Sequence, residues 1–358
     1  MAAFRSIGDI EQSLWSAGLG AEARNVAATA RPTVLFVRQQ VSDETLPAGT
    51  SKMGGDPDLP AGFAWPERPA LADAEARAEA IRQQAAQTRR TIEDNPDWYP
   101  HFTPAMLDDL SARHAGQAAM MFATLPLAFV AQLNLAALSA EAGFPEDFPD
   151  TGLLSLFTDV RGGDLAVAWH DGPDSALARR SWPQALGDYF DTYGPGAEAN
   201  GSPAWAALAK AERLHPFSAL TVPHHWKYAF PQGSPRAARL WDWLGGPPPA
   251  HDFFPGVDDV MSDPTQADRV NTANFGDRLG GWPDDIQGPA ESEMDGRVVG
   301  APGTTPWRHI FSYGAEFFGE TRTIPQLSGG DGNTFVIMHE DDLAARRFAR
   351  ARSTYQQT

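Results

Sequence analysis

Apolar and polar positions alternate along this chain with two periods, one suited to helices and one to strands. Ile7, Ile10, Leu14 and Leu19 recur at helical spacing, punctuated by Gly18 and Gly20, and predict one or two short helices over 6–29. Pro32 ends that pattern. The run Thr33-Val34-Leu35-Phe36-Val37 is β-branched and aromatic, which reads as a buried strand. Residues 127–135 form a second apolar run, in which Gln132 and Asn134 fall on one strand face. Further strands are expected at 152–159, 164–169, 307–313 and 334–338. Residues 69–93, dominated by Ala, Glu, Arg and Gln, and residues 104–120 read as a surface pair of helices. Residues 203–213 also read as helix, and 231–275 as a long, irregular, Pro-rich region. Glu340-Asp341-Asp342-Leu343 starts the last helix, its acids suiting a helix N-terminus.

Loops rich in Gly and Pro separate these elements, and two of them match. Gly54-Gly55-Asp56-Pro57-Asp58 precedes the strands at 127–135 and 152–158. Gly280-Gly281-Trp282-Pro283-Asp284 precedes those at 307–313 and 334–338. Paired glycines permit positive φ or a close backbone approach. The order suggests two degenerate copies of one supersecondary unit, against the rival of chance likeness between turn-forming loops. The expectation is a single α+β domain over 1–358 with a largely antiparallel sheet. Its halves run over about 1–170 and 171–358, with a helical insertion at about 67–124.

The same residues resemble the YwqG-like family, a bacterial domain of unknown function. The resemblance rests on Ser51-Lys52-Met53-Gly54-Gly55 with Pro57, Leu59-Pro60 and Trp65-Pro66. It continues through Phe129-Val130-Ala131-Gln132-Leu133-Asn134-Leu135 and Gly152-Leu153-Leu154. The later matches are Gly280-Gly281-Trp282-Pro283, Ile286-Gln287, Trp307, and Gly330-Asp331-Gly332 through Asp342-Leu343. It implies an α+β fold with a substantial antiparallel sheet and no particular activity. The 67–124 segment departs from the pattern. So does Ser312, which stands where a second glutamine like Gln132 is expected.

Composition narrows the function. The chain has 358 residues, 42% hydrophobic and 21% charged, which suits a globular core. Its 28 basic and 46 acidic residues give a net charge of −18. Such a surface repels nucleic-acid phosphates and suits a basic protein partner. There is no cysteine, so disulfides and thiolate chemistry are excluded. Pro126, Gln132 and Asn134 interrupt the most apolar stretch, 118–138, so no membrane span is read. Residues 1–10 lack the apolar core of a signal peptide, and the expected location is cytoplasmic.

No cluster forces a chemistry. There is no phosphate loop, no dinucleotide-binding glycine fingerprint and no Gly-x-Ser-x-Gly. Lys52 beside Gly54 and Gly55 suggests an anion nest, set against a plain structural turn. His224 and His225 are adjacent and face opposite ways in a strand; His215 and His251-Asp252 could add zinc ligands through the fold, against which no His-Glu-x-x-His spacing exists. His170-Asp171 reads as a turn rather than an acid–base couple. Trp65, Trp282 and Trp307 lie in the matching motifs and read as core, whereas exposed tryptophan would favour sugar or protein binding.

The expectation is therefore a binding protein with no metal and no cofactor. It engages a basic protein partner, an immunity-like role being one version, or a small polar ligand. The ligand-binding set is Lys52, Gly54, Gly55, Gln132, Asn134, Gly280, Gly281, Trp282, Asp284, Gln287 and Asp331. The alternative is a hydrolase or carbohydrate-active enzyme, with Gln132, Asn134, Asp284, Gln287 and Asp331 around a cleft between the halves. A third reading places function on the 67–124 insertion.

Overall fold

The computed structural model describes residues 3–159, 165–187, 211–224, 226, 230–231, 233–245, 270–271, 277–295, 305–314 and 332–357. The chain divides into two compact units. One comprises Met1–Phe63, Phe129–Ser181 and Leu208–Thr358, the other Ala64–Ala128 and Trp182–Ala207.

The first unit carries the main sheet. Its strands are β1 (Ala3–Phe4), β2 (Arg31–Val41), β3 (Lys52–Met53), β7 (Ala128–Asn134), β8 (Leu153–Thr158) and β9 (Leu165–His170). They are joined by β11 (Ala211–Thr221), β12 (Val270–Asn271), β13 (Arg278–Gly280), β14 (Trp307–Gly314), β15 (Gly332–His339) and β16 (Arg352–Gln357). The spatial order is β16-β15-β14-β13-β2-β11-β3-β7-β8-β9, with β1 on β11 and β12 on β2. Every strand of β7 and β8 is buried throughout, which is why the sequence there runs almost continuously apolar. Two short strands, β4 (Asp58–Pro60) and β10 (Leu177–Arg179), pair separately.

One core cluster packs Val34, Phe36, Val130, Leu133, Leu154, Leu156, Phe311 and Val336 on the sheet. A second gathers Ile10 and Leu14 of α1 (Ile7–Ser16), Val26 of α2 (Ala23–Ala27), and Leu240 and Leu244 of a helix at Pro235–Gly245. Helix α1 starts where the Ser6 hydroxyl accepts from the Asp9 amide at 3.1 Å.

In the second unit, α3 (Ala74–Asp94) and α4 (Pro104–Met120) meet through Ala74, Ala78, Ala118 and the adjoining Met121. Small side chains on both helices permit that approach. Thr103 caps α4 and Pro104 begins it, both suited to a helix start. Strands β5 (Glu67–Arg68) and β6 (Leu125–Pro126) pair at the base of this hairpin. Arg68, buried, ties the same ends together by donating to the carbonyls of Met120 and Ala123.

Two expectations need correction. Residues 211–213 open β11, a strand paired with β2 over its full length, rather than closing a helix; residues 203–210 lie outside the described residues. The 231–275 region contains the helix at Pro235–Gly245. The last α-helix begins at Glu340, where the acids are expected to start it, and runs to Ala344; β16 follows and pairs with β15. No helix among the described residues is long and apolar enough to cross a membrane.

Candidate functional site

The two glycine loops are built alike. Gly54 and Gly55 have φ of 62° and 67°, and Gly280 and Gly281 have φ of 66° and 68°. These are left-handed values that favour glycine. A buried basic residue stands two positions ahead of each pair, Lys52 on β3 and Arg278 on β13. Each donates to the carbonyl four residues on: Lys52 Nζ to Asp56 O at 2.5 Å, and Arg278 Nη1 to Trp282 O at 3.3 Å. Across the ladder Lys52 faces Gln132, and Arg278 faces Ser312.

The first loop is filled from within. Asp43 accepts from Lys52 Nζ at 2.5 Å and from the Asp56 amide at 2.6 Å. Its carboxylate thus occupies the anion nest that Lys52, Gly54 and Gly55 suggest. A Cβ on Gly55 would meet Asp43 Oδ2 at 2.7 Å. Gln132 receives the Asp58 amide at 2.8 Å and donates to Thr50 O at 2.8 Å and Asp58 Oδ2 at 2.7 Å. Asn134 donates to Gly49 O at 2.9 Å, and Arg179 pairs with Asp58 at 3.0 Å. Burial lowers the pKa of Lys52, opposed by Asp43, and burial with the neighbouring Asp43 raises that of Asp56. This network binds the chain to itself.

The second loop borders a pocket of about 400 Å³. Its walls include Arg31, Pro145, Gly280, Gly281, Arg308 and His309, with Glu146 and Asp147 contributing acidic groups. Trp282, almost fully buried, donates from its ring to Thr29 O at 2.7 Å and from its amide to Thr221 Oγ1 at 2.9 Å. Arg31 lies over the Trp282 ring at 3.5 Å. Its Nη1 is buried and has no hydrogen-bond partner among the described residues. Burial and the nearby Arg308 lower the Arg31 pKa to about 10, against the pull of Glu291, Asp147 and Glu340, so it stays charged at neutral pH. Arg308 itself pairs with Glu340 and lies 3.8 Å from Asp147.

His309 is 2% exposed. Its Nδ1 lies 2.9 Å from the Gly280 carbonyl, and its Nε2 has no partner among the described residues. Burial lowers its pKa to about 3, with Arg278 and Arg31 pushing the same way against backbone interactions with Gly280 and Phe311. Burial likewise raises the pKa of Glu291.

The remaining expected site residues fall in two places. Asp284 sits 3.5 Å from His224 and 3.7 Å from Arg278, and the Gln287 amide donates to Gln356 Oε1 at 3.1 Å. Gln132 and Asn134 belong to the first network, and β11 and β2 lie between β3 and β13 in the sheet. Asp331 and His225 lie outside the described residues. Among the described residues no group of three or more His, Asp or Glu is placed to hold a metal. Trp282 and Trp307 are buried, while Trp15 and Trp98 are exposed.

Sequence reasoning missed Arg31, Arg308 and the role of His309. Trp282 was the signal available, because a buried indole beside a glycine pair leaves a flat face for a neighbour. What meets that face is set by strand order.

The profile of a family described as Domain of unknown function (DUF1963) matches residues 51–356. A search of curated proteins finds no match.

Proposed function

We propose a ligand-binding role for this chain, which belongs to the DUF1963 family: it holds a small polar ligand with a carboxylate or phosphate group in the pocket beside Gly280 and Gly281. Arg31 carries this reading. Its guanidinium is oriented by Trp282, and its buried Nη1 has no partner among the described residues. A buried polar group left unsatisfied costs about 1–3 kcal/mol, and an oxyanion would relieve that cost with a charge-assisted bond. Arg308 adds positive charge to the same pocket, moderated by Glu340 and Asp147.

The test is thermal unfolding with inorganic phosphate and with succinate, on the wild type and on Arg31→Ala. A ligand at 100 times its Kd stabilises by about 2.7 kcal/mol. Stabilisation of the wild type that is lost in the variant supports the reading. No shift with either probe at any concentration overturns it.

A basic protein partner is the second reading. The net charge of −18 favours it, and Trp15 and Trp98, 67% and 76% exposed, supply aromatic contact surface. Salt-insensitive association would count against it. In both readings the protein works in the cytoplasm, in keeping with a cysteine-free composition.

The resemblance names the family as YwqG-like, and we take the two loops as copies of one duplicated unit. The strand order favours duplication. Outward from the central β2–β11 pair, β3-β7-β8-β9 runs one way and β13-β14-β15-β16 the other, each in chain order. In this view the first copy is closed by an internal carboxylate, Asp43, and the second borders the pocket.

A further inference from the structure

The pocket beside Gly280 and Gly281 carries charges of both signs, and they are not equally engaged. Arg308 is held by Glu340. Arg31 lies over Trp282, and its Nη1 has no hydrogen-bond partner among the described residues. Two exposed carboxylates, Glu146 and Asp147, line the same pocket. The Asp147 carboxylate stands close to both arginines: its Oδ2 is 3.8 Å from Arg308 Nε, and its charge acts on Arg31. That contact is an ion pair without a hydrogen bond, and neither carboxylate accepts one among the described residues. A bare anion on Arg31 therefore gains from one guanidinium while it meets two like charges. An ammonium group on the same ligand reverses the sign of that second effect, and it brings donors to oxygens whose lone pairs are open.

Resting on the proposed anion site, we infer that the pocket takes a zwitterion, an amino acid or a similar amine-bearing carboxylic acid. The ligand's carboxylate lies on Arg31 and its ammonium on Asp147, with Glu146 adding to the negative side. A cavity of about 400 Å³ has room for a molecule of that size with a side chain. Both ends then make charge-assisted hydrogen bonds, the stronger kind.

Calorimetric titration of the full chain with sodium succinate and with L-aspartate, at neutral pH and matched ionic strength, tests this. Aspartate is succinate with one hydrogen replaced by an ammonium group, so the pair isolates that group. A pocket that reads negative charge alone prefers succinate, the dianion. L-Aspartate is instead expected to bind at least about tenfold more tightly, the scale of one hydrogen bond to a charged group. In the double variant Glu146→Gln, Asp147→Asn, aspartate should lose that advantage, while succinate should bind at least as tightly as to the wild type. Both side chains are exposed, so the variant should fold. Succinate binding the wild type as tightly as aspartate, or more so, overturns the inference and leaves the anion site standing. Binding of neither overturns both. An aspartate preference undiminished in the double variant overturns the assignment to these two carboxylates.

Discussion

Lys52 and Arg278 stand at corresponding places ahead of two glycine pairs, and each donates to the backbone carbonyl four residues further on. The loops they close differ in what fills them. Asp43 occupies the first, whereas Thr221 meets the second and leaves one side of it open to a pocket. A shared scaffold can thus be structural in one place and available for binding in another.

The Lys52–Asp43 pair should be needed for stability and irrelevant to anion binding. Lys52 is fully buried and Asp43 is partly buried, so Lys52→Met takes the nearest cation from a carboxylate that keeps the Asp56 amide and Arg179 at 3.6 Å. Breaking such a pair costs about 3–5 kcal/mol. Urea unfolding of Lys52→Met should show a loss of roughly 2 kcal/mol, below that range because Asp43 is partly exposed and keeps Arg179 beside it. A midpoint close to the wild type would mean that the pair is not closed in solution.

Glycine at 281 should matter for space as well as for φ. A Cβ there would meet Thr221 Oγ1 at 2.6 Å and Thr33 Cβ at 2.7 Å. Gly62 has a similar positive φ, 77°, with nothing within 4 Å of its Cβ. Gly62→Ala should therefore cost about 1 kcal/mol, the conformational part alone. Gly281→Ala should cost at least about 2 kcal/mol, since packed neighbours must also move. Equal losses in denaturant melts would show that the threonines yield freely.

The sequence made the apolar strands legible and the polar ones obscure. β2, β7, β8 and β14 are buried along most of their length, so their side chains announce them. β11 mixes Glu212, Arg213, His215 and Pro216, and a proline argues against a central strand. It is tolerated because β3 pairs only at Glu212 and Arg213 and β1 only at Leu220 and Thr221, leaving β2 alone opposite Pro216. β16, with Ser353, Thr354, Gln356 and Gln357, is an edge strand without a continuous apolar face. Gln132 and Asn134 were identifiable as special, but their partners were not. Bonds to Thr50, Asp58 and Gly49 depend on a loop some 80 residues away in sequence. Arg31 on β2 and Arg308 on β14 line one pocket through a strand order, with β13 between the two, that no local pattern encodes.

His309 should make the protein sensitive to acid. Its folded pKa, about 3, lies below the ordinary 6.5. The unfolded chain therefore binds its proton first as the pH drops. The stability from this group is intact above pH 6.5 and declines as pH falls from there toward 3, by about 1.4 kcal/mol per pH unit while only the unfolded ring is charged. Denaturant melts between these limits should be less steep in pH for His309→Gln by about one proton. Parallel curves for the two proteins would place the wild-type ring in a solvated, ordinary setting.

Replacing Arg31 by lysine should separate charge from shape. Lysine keeps the positive charge but has no plane to lie against Trp282, over which the guanidinium sits at 3.5 Å. The lost contact is worth about 1 kcal/mol of stability, so the variant should fold. Anion binding should suffer more, because the fixed fork that aims Nη1 is gone and a flexible ammonium remains. Phosphate affinity in Arg31→Lys is expected to fall about tenfold or more, with a melting temperature only a few degrees lower. If lysine binds phosphate as well as arginine does, the pocket attracts anions by charge alone and the stacking on Trp282 is a matter of packing.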